Sequence, residues 1–364
     1  MKQEKNMSNG AFLTAMARVR PIDEHAAEAA RLHHTRLTKP LGSLGRLEDL
    51  GVQLSAIARV CPPPVPTPVT IGVFAGDHGV VASGVSPWPS EVTAQMVANF
   101  CAGGAAINVL ARQVGATVRI VDVGVATPIP GDLSNLYQRN IAKGTANLAV
   151  QPAMTRDQVS AALDVGAEIA NEALAEGARM LVTGDMGIGN TTPSAALIAA
   201  FTSTRADQVT GRGTGIDDAT LRLKTSVIDA AIARLAPDAT PLEVVAELGG
   251  LEIAAIAGFI VAGAAASVPV IIDGVISVAG ALIATALAPD VRGYLVGGHR
   301  SSEPGASIGM AHLGLSPLLD LELRLGEGTG AALAVPLVQA AARVLAEMAT
   351  FESAGVTARE GGAE

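Results

Sequence analysis

Short apolar segments that end in glycine or aspartate recur along residues 69–299 and alternate with longer helical stretches. The segments are VTIGVFAGD, ATVRIVDVG, ARMLVTGD, SVPVIIDG and GYLVGGH. Helices are predicted over residues 91–113, 155–176, 193–201, 219–235 and 248–266. Strands that alternate with helices favour right-handed crossovers, and strands that are apolar throughout are typical of a sheet buried on both faces. The sequence therefore predicts an α/β fold with a Rossmann-like, mostly parallel sheet covered by helices.

The two ends of the chain differ from this central part. Residues 11–60 favour helices, with Ser43 placed to cap one that carries apolar residues at helical spacing, namely Leu44, Leu47, Leu50, Leu54 and Ile57. The proline-rich stretch 61–68 is a plausible linker. We expect a flexible leader over residues 1–10, a small helical domain from 11–60 plus about 335–364, and a large α/β catalytic domain over 69–334.

Composition excludes several classes of protein. The chain has 364 residues, of which 49% are hydrophobic and 16% charged, so it is long and apolar enough to bury a large core. The net charge of −9 and the lack of a Lys/Arg stripe argue against a nucleic-acid partner. Cys61 and Cys101 lack the spacing of metal ligands, and the first ten residues lack a secretory signal, so a cytoplasmic protein is expected.

A membrane protein remains an alternative. Residues 253–272 contain no charged side chain, and residues 275–288 are nearly as apolar. Against a membrane span, Pro269 and Asp273 interrupt the two runs, and flanking cationic anchors and aromatic belts are missing. We therefore expect a buried helix, strand and helix, and no membrane partner.

Acidic residues close several of the predicted strands. Asp77, Asp122, Asp185 and Asp273 follow such segments, and the carboxyl edge of an open α/β sheet is where ligands bind. Asp122 can equally cap a following helix. Asp185 opens a glycine loop, GDMGIGNTTP, ahead of a helix, and a glycine loop at a helix start can cradle an anion. The loop matches no common nucleotide motif, and an ordinary tight turn is the alternative.

Glu327 is a solitary carboxylate between Gly326 and Gly328, immediately before a long amphipathic helix. Its apolar neighbourhood would raise its pKa by desolvation, which suits a general base. An acid that complements the helix dipole is an equally good interpretation of these residues.

Nine motifs in order resemble the nicotinate-nucleotide–dimethylbenzimidazole phosphoribosyltransferase family, which assembles the nucleotide loop of cobalamin. They are KPLGSLGRLE at 39–48, FAGDHGV at 74–80, EVTAQMVANF at 91–100, VDVGV at 121–125, PAMTRDQ at 152–158, GDMGIGNTTPSAA at 184–196, GGLEIAAIAG at 249–258, DGVIS at 273–277 and LRLGEGTGAALA at 323–334. The resemblance covers nearly the whole chain, from about residue 39 to residue 350.

The resemblance implies transfer of phosphoribose from nicotinate mononucleotide to dimethylbenzimidazole, without a metal or a cofactor. It implies that Glu327 is the base that deprotonates the acceptor and that Asp185 stabilises the ribosyl cation. The family has a glutamate where this chain has Asp185, which is one methylene shorter. The resemblance also implies a homodimer.

Other positions are carried over from the family one at a time. Lys224 would neutralise the phosphate or the nicotinate carboxylate, although sequence alone favours a solvated helix lysine. Trp88 would stack on the dimethylbenzimidazole, or it is simply a half-buried loop residue. The glutamine of the family's acceptor pocket maps to Gln95 or Met96. His78 and His299 more often make structural hydrogen bonds. The substrate-binding residues implied are Gly184, Met186, Gly187, Gly189, Asn190, Thr191, Lys224, Trp88, Gln95, Met96, Asp77, His78, Ser302, Leu325 and Gly326.

Two further functions stay open at this point. The chain can be a phosphoribosyltransferase of the same fold with another azole or a purine as acceptor. It can also be a non-catalytic module that binds a nucleotide or a base, although the intact Glu327 and glycine loop argue against that.

Overall fold

The computed structural model of the protein describes residues 10–357 and contains one sheet of six parallel strands. The strands are β1 (Val69–Gly76), β2 (Ala116–Gly124), β3 (Leu136–Gln138), β4 (Met180–Met186), β5 (Val270–Ile272) and β6 (Leu295–Gly297), in the spatial order β3-β2-β1-β4-β5-β6. The predicted parallel α/β fold is confirmed. The sequence did not predict β3, because its three residues form no apolar run.

Fifteen α-helices connect or cover these strands within the described residues. Those before β3 are α1 (Ala11–Met16), α2 (Glu24–Arg36), α3 (Arg46–Ala58), α4 (Glu91–Cys101) and α5 (Ala106–Val114). Those between β3 and β5 are α6 (Arg156–Ala175), α7 (Thr191–Thr202), α8 (Ala206–Val209), α9 (Asp218–Ile232), α10 (Pro241–Leu248) and α11 (Leu251–Ala265). The last are α12 (Val275–Leu287), α13 (Pro304–His312), α14 (Thr329–Glu347) and α15 (Phe351–Ala354).

Each face of the sheet packs against its own apolar layer. In β1, Phe74 belongs to the layer formed with α6, α7, α11 and α12, whereas Ile71 and Val73 belong to the layer formed with α4, α5 and α14. All eight residues of β1 are buried, because alternate side chains point into opposite layers. In β1, the polar groups that a ligand can reach are therefore confined to the end of the strand.

Two local predictions were wrong. The helix predicted over residues 91–113 is divided into α4 and α5, because Gly103 adopts a left-handed φ of 78° after the end of α4. Ser43 does not cap α3, since Gly45 is the N-cap and no side chain accepts a hydrogen bond there. Both errors concern helix ends, where loop conformation outweighs apolar spacing.

Two of the N-terminal helices pack with the long C-terminal helix, whereas the first helix packs elsewhere. Helices α2 and α3 pack against each other and α3 packs against α14, while α1 packs against α6 and α11. Helix α14 runs through the boundary expected near residue 335. The division into a small and a large domain stays a prediction. The expected leader and the end of the C-terminal segment, residues 1–9 and 358–364, lie outside the described residues.

The two apolar runs weighed as membrane spans are core elements. The first forms most of α11 and β5, and the second forms α12, and these helices have 15 and 13 residues. Two other stretches, Glu91–Val114 and Thr329–Glu347, are long and apolar enough to cross a membrane. The most apolar 18-residue window of each is 44% and 56% buried inside the protein, respectively. Core helices pass the same test of length and composition, so these stretches are weak evidence for a membrane span.

Candidate active site

Three buried aspartates lie at the carboxyl edge of the sheet, as their positions after strands predict. Asp185 is the penultimate residue of β4, whereas Asp77 and Asp273 directly follow β1 and β5. All three are at most 4% exposed. Asp122, in β2, accepts hydrogen bonds from the Val125 amide at 2.8 Å and from the Asn140 side chain at 2.9 Å. Asp122 therefore stabilises its own turn, and it caps no helix, because β3 and not a helix comes next in the chain.

Glu327 reaches the same edge from the other end of the chain. Gly326, Glu327 and Gly328 all have left-handed φ angles, of 84°, 63° and 89°. This turn passes so close to β4 that a Cβ atom on Gly184 would lie 2.5 Å from the Glu327 carbonyl oxygen. Glycine is required at 184 for this approach. Asp185 and Glu327, which are 142 residues apart in the chain, therefore lie on adjoining backbone segments.

The Glu327 carboxylate is 4% exposed, and its Oε2 accepts a hydrogen bond from the backbone N–H of Ile107 at 3.2 Å, in the first turn of α5. Burial raises the pKa of Glu327, the Ile107 N–H lowers it, and the charge of Asp273 raises it, with a net increase. A carboxyl group with a raised pKa is suited to accept a proton near neutral pH.

The Asp185 carboxyl group has few partners. Its Oδ2 accepts a hydrogen bond from the Asn190 side chain at 2.9 Å, and its Oδ1 has no partner among residues 10–357. Burial raises the pKa of Asp185 well above its ordinary value, and the charges of Asp273, Glu252 and Glu327 add to the increase. Burial and the neighbouring acids therefore favour the protonated form of Asp185.

Asp273 fixes the turn that carries Glu327. Its two oxygens accept hydrogen bonds from the Gly328 N–H at 3.2 Å and the Ala331 N–H at 2.8 Å, at the start of α14. His299 Nε2 lies 3.4 Å from Asp273 Oδ1. Burial opposes charging of His299, but Asp273 outweighs burial and the pKa of His299 is raised. These contacts make Asp273 and His299 supports of the Glu327 turn.

Sequence reasoning did not assign a role to Glu252, which is fully buried in the first turn of α11. Its Oε1 lies 2.8 Å from His78 Nε2. The signal that could have found it is the one that singled out Glu327, namely a lone acid beside glycines at the start of an apolar helix. The predicted structural role of His78 agrees with this contact.

The glycine loop and Lys224 form a second part of the site. Lys224 is 1% exposed, and its Nζ donates hydrogen bonds to Thr191 Oγ1 at 2.8 Å and to the Gly211 carbonyl at 3.0 Å. Burial lowers the pKa of Lys224 to about 8, and Glu303 partly offsets this effect. The solvated helix lysine favoured by sequence alone was wrong.

A cavity of about 50 Å³ lies over this cluster and collects segments that are distant in the chain. It is lined by Gly187, Gly189, Asn190, Thr191 and Lys224 and by parts of the loops at residues 85–87 and 212–216. Because α7 begins at Thr191, the N–H groups of its first turn are also near the cavity. The larger cavity of about 530 Å³ between α5 and the first half of β2 contains none of the predicted site residues.

The remaining predicted residues lie at the rim or in the wall. Trp88 is 51% exposed and Leu325 is 59% exposed, while Gln95 is exposed on α4. Met96 and Met186 are partly buried against the same apolar layer. Ser302 is exposed and its hydroxyl donates to the Glu322 carbonyl, whereas its neighbour Ser301 is buried. The binding roles of these residues stay predictions.

Titratable groups at this edge do not form a metal centre. Within residues 10–357 no group of three or more His, Cys, Asp or Glu side chains is arranged to hold a metal ion. What the edge offers is two acids with raised pKa values, Asp185 and Glu327, next to a cavity that contains a buried lysine. This arrangement can bind an anion and accept a proton at neighbouring points.

Comparison with known proteins shows the family of the chain. A family model described as "Phosphoribosyltransferase" matches residues 19–356. Nicotinate-nucleotide–dimethylbenzimidazole phosphoribosyltransferase from Salinispora tropica is 54% identical over 354 residues, which cover 93% of this chain and 97% of that protein. The enzyme of the same name from Geobacter sulfurreducens is 52% identical over 343 residues, covering 94% and 97%.

A solved structure shares the fold. The crystal structure of the enzyme of that name from Thermus thermophilus has a TM-score of 0.89 and 48% sequence identity, and the match covers 93% of this chain and 100% of that chain. These matches in sequence and in structure extend over nearly the whole chain. The chain belongs to the nicotinate-nucleotide–dimethylbenzimidazole phosphoribosyltransferase family.

Proposed function

We propose that the protein transfers the phosphoribosyl group of nicotinate mononucleotide to dimethylbenzimidazole, in assembly of the cobalamin lower ligand. The bond between C1′ and the pyridinium nitrogen breaks, and its electron pair stays on the departing nicotinate. The lone pair of the unprotonated imidazole nitrogen of the acceptor forms the new bond to C1′. The proton on its other nitrogen is then lost to a base, which gives α-ribazole phosphate.

The donor phosphate is assigned to the cavity between the glycine loop and Lys224. Buried Lys224 supplies a positive charge there, and the first turn of α7 supplies N–H groups and the positive end of the helix dipole. A charge-assisted hydrogen bond of this kind contributes about 1.5–3 kcal/mol. Binding the phosphate at this point holds the ribose beside Asp185, which is linked to the loop through Asn190.

Glu327 is the proposed base and Asp185 the proposed partner of the ribosyl cation. The pyridinium leaves without protonation, so catalysis depends on stabilising positive charge at C1′ and on removing the acceptor proton. General base catalysis contributes about 10²–10⁴-fold, and positioning and electrostatics contribute the rest. Apolar Met186 and Leu325 next to the two acids are suited to contact the aromatic acceptor.

One observation supports this function most strongly. Two buried acids from distant parts of the chain, Asp185 and Glu327, lie on adjoining segments. Asn190 of the glycine loop donates a hydrogen bond to Asp185, and the same loop lines a cavity with the buried Lys224. The test is to incubate the purified protein with nicotinate mononucleotide and a panel of benzimidazoles, phenols and purines. Ribosylated products are identified by mass, and we expect dimethylbenzimidazole to give the fastest reaction.

The same panel separates the alternatives. A product with a purine or another azole, and little with dimethylbenzimidazole, would support the same chemistry with a different acceptor. Donor binding by calorimetry without any product would support a non-catalytic module and overturn the proposal.

We also propose that the enzyme is a cytoplasmic homodimer. The apolar side chains of Leu41, Leu321 and Leu325 are 74%, 54% and 59% exposed, so they are available for a contact between copies. Cys61 and Cys101 are both free thiols, as expected in a reducing compartment. Sedimentation equilibrium tests the dimer, and cell fractionation tests the location.

A further inference from the structure

Glu303 is a buried acid behind the cavity to which the donor phosphate is assigned. It is 6% exposed and directly precedes α13, but its side chain does not cap that helix. Instead, its Oε1 accepts a hydrogen bond from the backbone N–H of Gly213 at 2.7 Å, although the two residues are 90 positions apart in the chain. A buried carboxylate is costly unless it is paired. Its contact with this distant loop therefore calls for a physical reason.

The loop at residues 211–216 forms one wall of the cavity. Gly213 and Gly215 have left-handed φ angles of 52° and 110°, and glycines leave a loop free to adopt other conformations. Contacts from outside the loop must therefore fix it. Gly213 has two such contacts, because its carbonyl also accepts a hydrogen bond from Arg324 Nη1 at 3.1 Å. Arg324 is exposed, whereas the contact with Glu303 is shielded from water and is the stronger attachment.

The same carboxylate touches the residue that bonds Lys224. A Cβ atom on Gly211 would overlap Glu303 Oε2, so Gly211 and Glu303 are in direct contact. The Gly211 carbonyl accepts a hydrogen bond from Lys224 Nζ at 3.0 Å. The charge of Glu303 also favours the ammonium form, because it raises the pKa of Lys224 against the effect of burial. Glu303 thus reaches Lys224 through the loop.

We propose that Glu303 is a positioning residue for the donor phosphate: its carboxylate holds the loop at residues 211–216 against the cavity, and the Gly211 carbonyl of that loop holds the Lys224 ammonium in place. This inference rests on the proposed function, which places the phosphate in this cavity. Glu303 is not among the residues that line the cavity. Because a carboxylate would repel a phosphate, its position behind the loop suits an indirect role.

Two substitutions separate the reach of Glu303 from its charge. Glu303→Gln keeps the length and an oxygen that can accept the Gly213 N–H, but it loses the charge. Glu303→Asp keeps the charge, but it is one methylene shorter and withdraws from Gly213. Donor affinity should fall about tenfold in Glu303→Asp and less than about threefold in Glu303→Gln, in line with the loss of a hydrogen bond to a charged group. The reverse order would mean that charge and not the attachment of the loop matters, and would overturn the inference.

The measurements are calorimetric affinities for nicotinate mononucleotide and for nicotinate riboside, which is the same donor without its phosphate. Glu303→Asp should weaken binding of the mononucleotide and leave binding of the riboside unchanged. A purely structural role would weaken both ligands equally or neither, and either result would overturn the inference. Glu247→Asp is the matched control, because Glu247 is partly buried and bonded to Arg234 Nε at 2.6 Å, away from the cavity lining. It should keep wild-type affinity for both ligands.

A double-mutant cycle with Lys224→Met tests the route from Glu303 to the phosphate. If Glu303 acts through Lys224, Glu303→Asp should cost about tenfold in mononucleotide affinity in wild type but less than about twofold in Lys224→Met. An equal loss in the two backgrounds would overturn the inference. If Glu303→Asp does not fold, Gly211→Ala replaces it in each measurement, because its Cβ would displace the Glu303 carboxylate.

These outcomes are distinguishable from failure of the proposed function. Formation of α-ribazole phosphate by wild type leaves that function standing, whatever the Glu303 variants do. Unchanged mononucleotide affinity in Lys224→Met would overturn the phosphate site and, with it, the role of Glu303. Absence of donor binding and of product in wild type would overturn the proposed function itself.

Discussion

Replacement of Glu327 by glutamine gives the most discriminating test of the proposed chemistry. Glutamine has the same length, so its amide oxygen can accept the hydrogen bond that the Ile107 N–H donates to Glu327 Oε2 at 3.2 Å. The left-handed turn at residue 327 is unchanged, because φ of 63° strains both residues equally. The substitution therefore removes the basic group and keeps the shape of the site.

The expected loss of turnover follows from the role of a general base. Such a base contributes about 10²–10⁴-fold, so the barrier should rise by about 2.7–5.5 kcal/mol. The loss should appear in kcat with dimethylbenzimidazole. Affinity for nicotinate mononucleotide should change little, since the phosphate is assigned to the cavity at Lys224 and not to Glu327.

Stability should respond in the opposite direction from activity. Because burial raises the pKa of Glu327, the folded protein binds the proton more tightly than the unfolded chain does. The free energy of unfolding therefore falls as pH rises through the interval between the ordinary and the raised pKa. Glutamine does not ionise, so at neutral pH the variant should be at least as stable as wild type, and this advantage should disappear in acid.

The measurements are single-turnover product formation, calorimetric donor binding and thermal unfolding between about pH 4 and about pH 8, which spans ordinary and raised carboxyl pKa values. Glu322→Gln is the matched control, because Glu322 is exposed and also has a left-handed φ, of 56°. It should keep wild-type turnover. Wild-type turnover in Glu327→Gln would refute the assignment of the base, and so would a loss of donor affinity as large as the loss of kcat.

Three other substitutions test separate parts of the structure. Lys224→Met should raise KM for the donor about 10–100-fold, with a smaller effect on kcat. Wild type should lose donor affinity above the Lys224 pKa of about 8, and this loss should be absent in the variant. An unchanged KM in initial-rate assays would contradict the phosphate site. Gly184→Ala places a Cβ 2.5 Å from the Glu327 carbonyl oxygen, so kcat should fall. The free energy of unfolding, measured with denaturant, should fall by about 1–3 kcal/mol. Normal kcat would mean that β4 does not hold the turn that carries Glu327. Gly258→Ala places a Cβ 1.9 Å from the Leu163 carbonyl oxygen and should separate α6 from α11. The free energy of unfolding should fall by at least as much as in Gly184→Ala, while the folded fraction keeps its activity per active site.

Residue patterns were sufficient for the α/β fold, and they singled out the two acids as candidates. Each apolar segment that ended in glycine or aspartate became a strand, because a strand buried on both faces has few alternatives. Asp185 and Glu327 were recognisable because a lone acid among glycines has little use in packing. Family motifs then gave these acids a chemistry that periodicity alone could not supply.

Local patterns did not predict contacts between distant segments. Glu252 was quoted in a motif without a role, because its meaning depends on His78, which lies 174 residues earlier in the chain. Lys224 looked like a surface lysine, because helical spacing does not show that Thr191 and Gly211 enclose its ammonium group. The short strand β3 was missed, because it exists only by pairing with β2.

The sequence by itself determined that buried strands alternate with helices, which apolar faces must be buried, and which family the chain resembles. Only the tertiary structure decided which acids adjoin and which groups bond to each of them. The physical reason is that burial and pairing set the pKa of a carboxyl group, and both depend on residues brought together across the sheet. Asp185 and Glu252 have the same carboxyl chemistry in the sequence, but only Glu252 has an imidazole beside it.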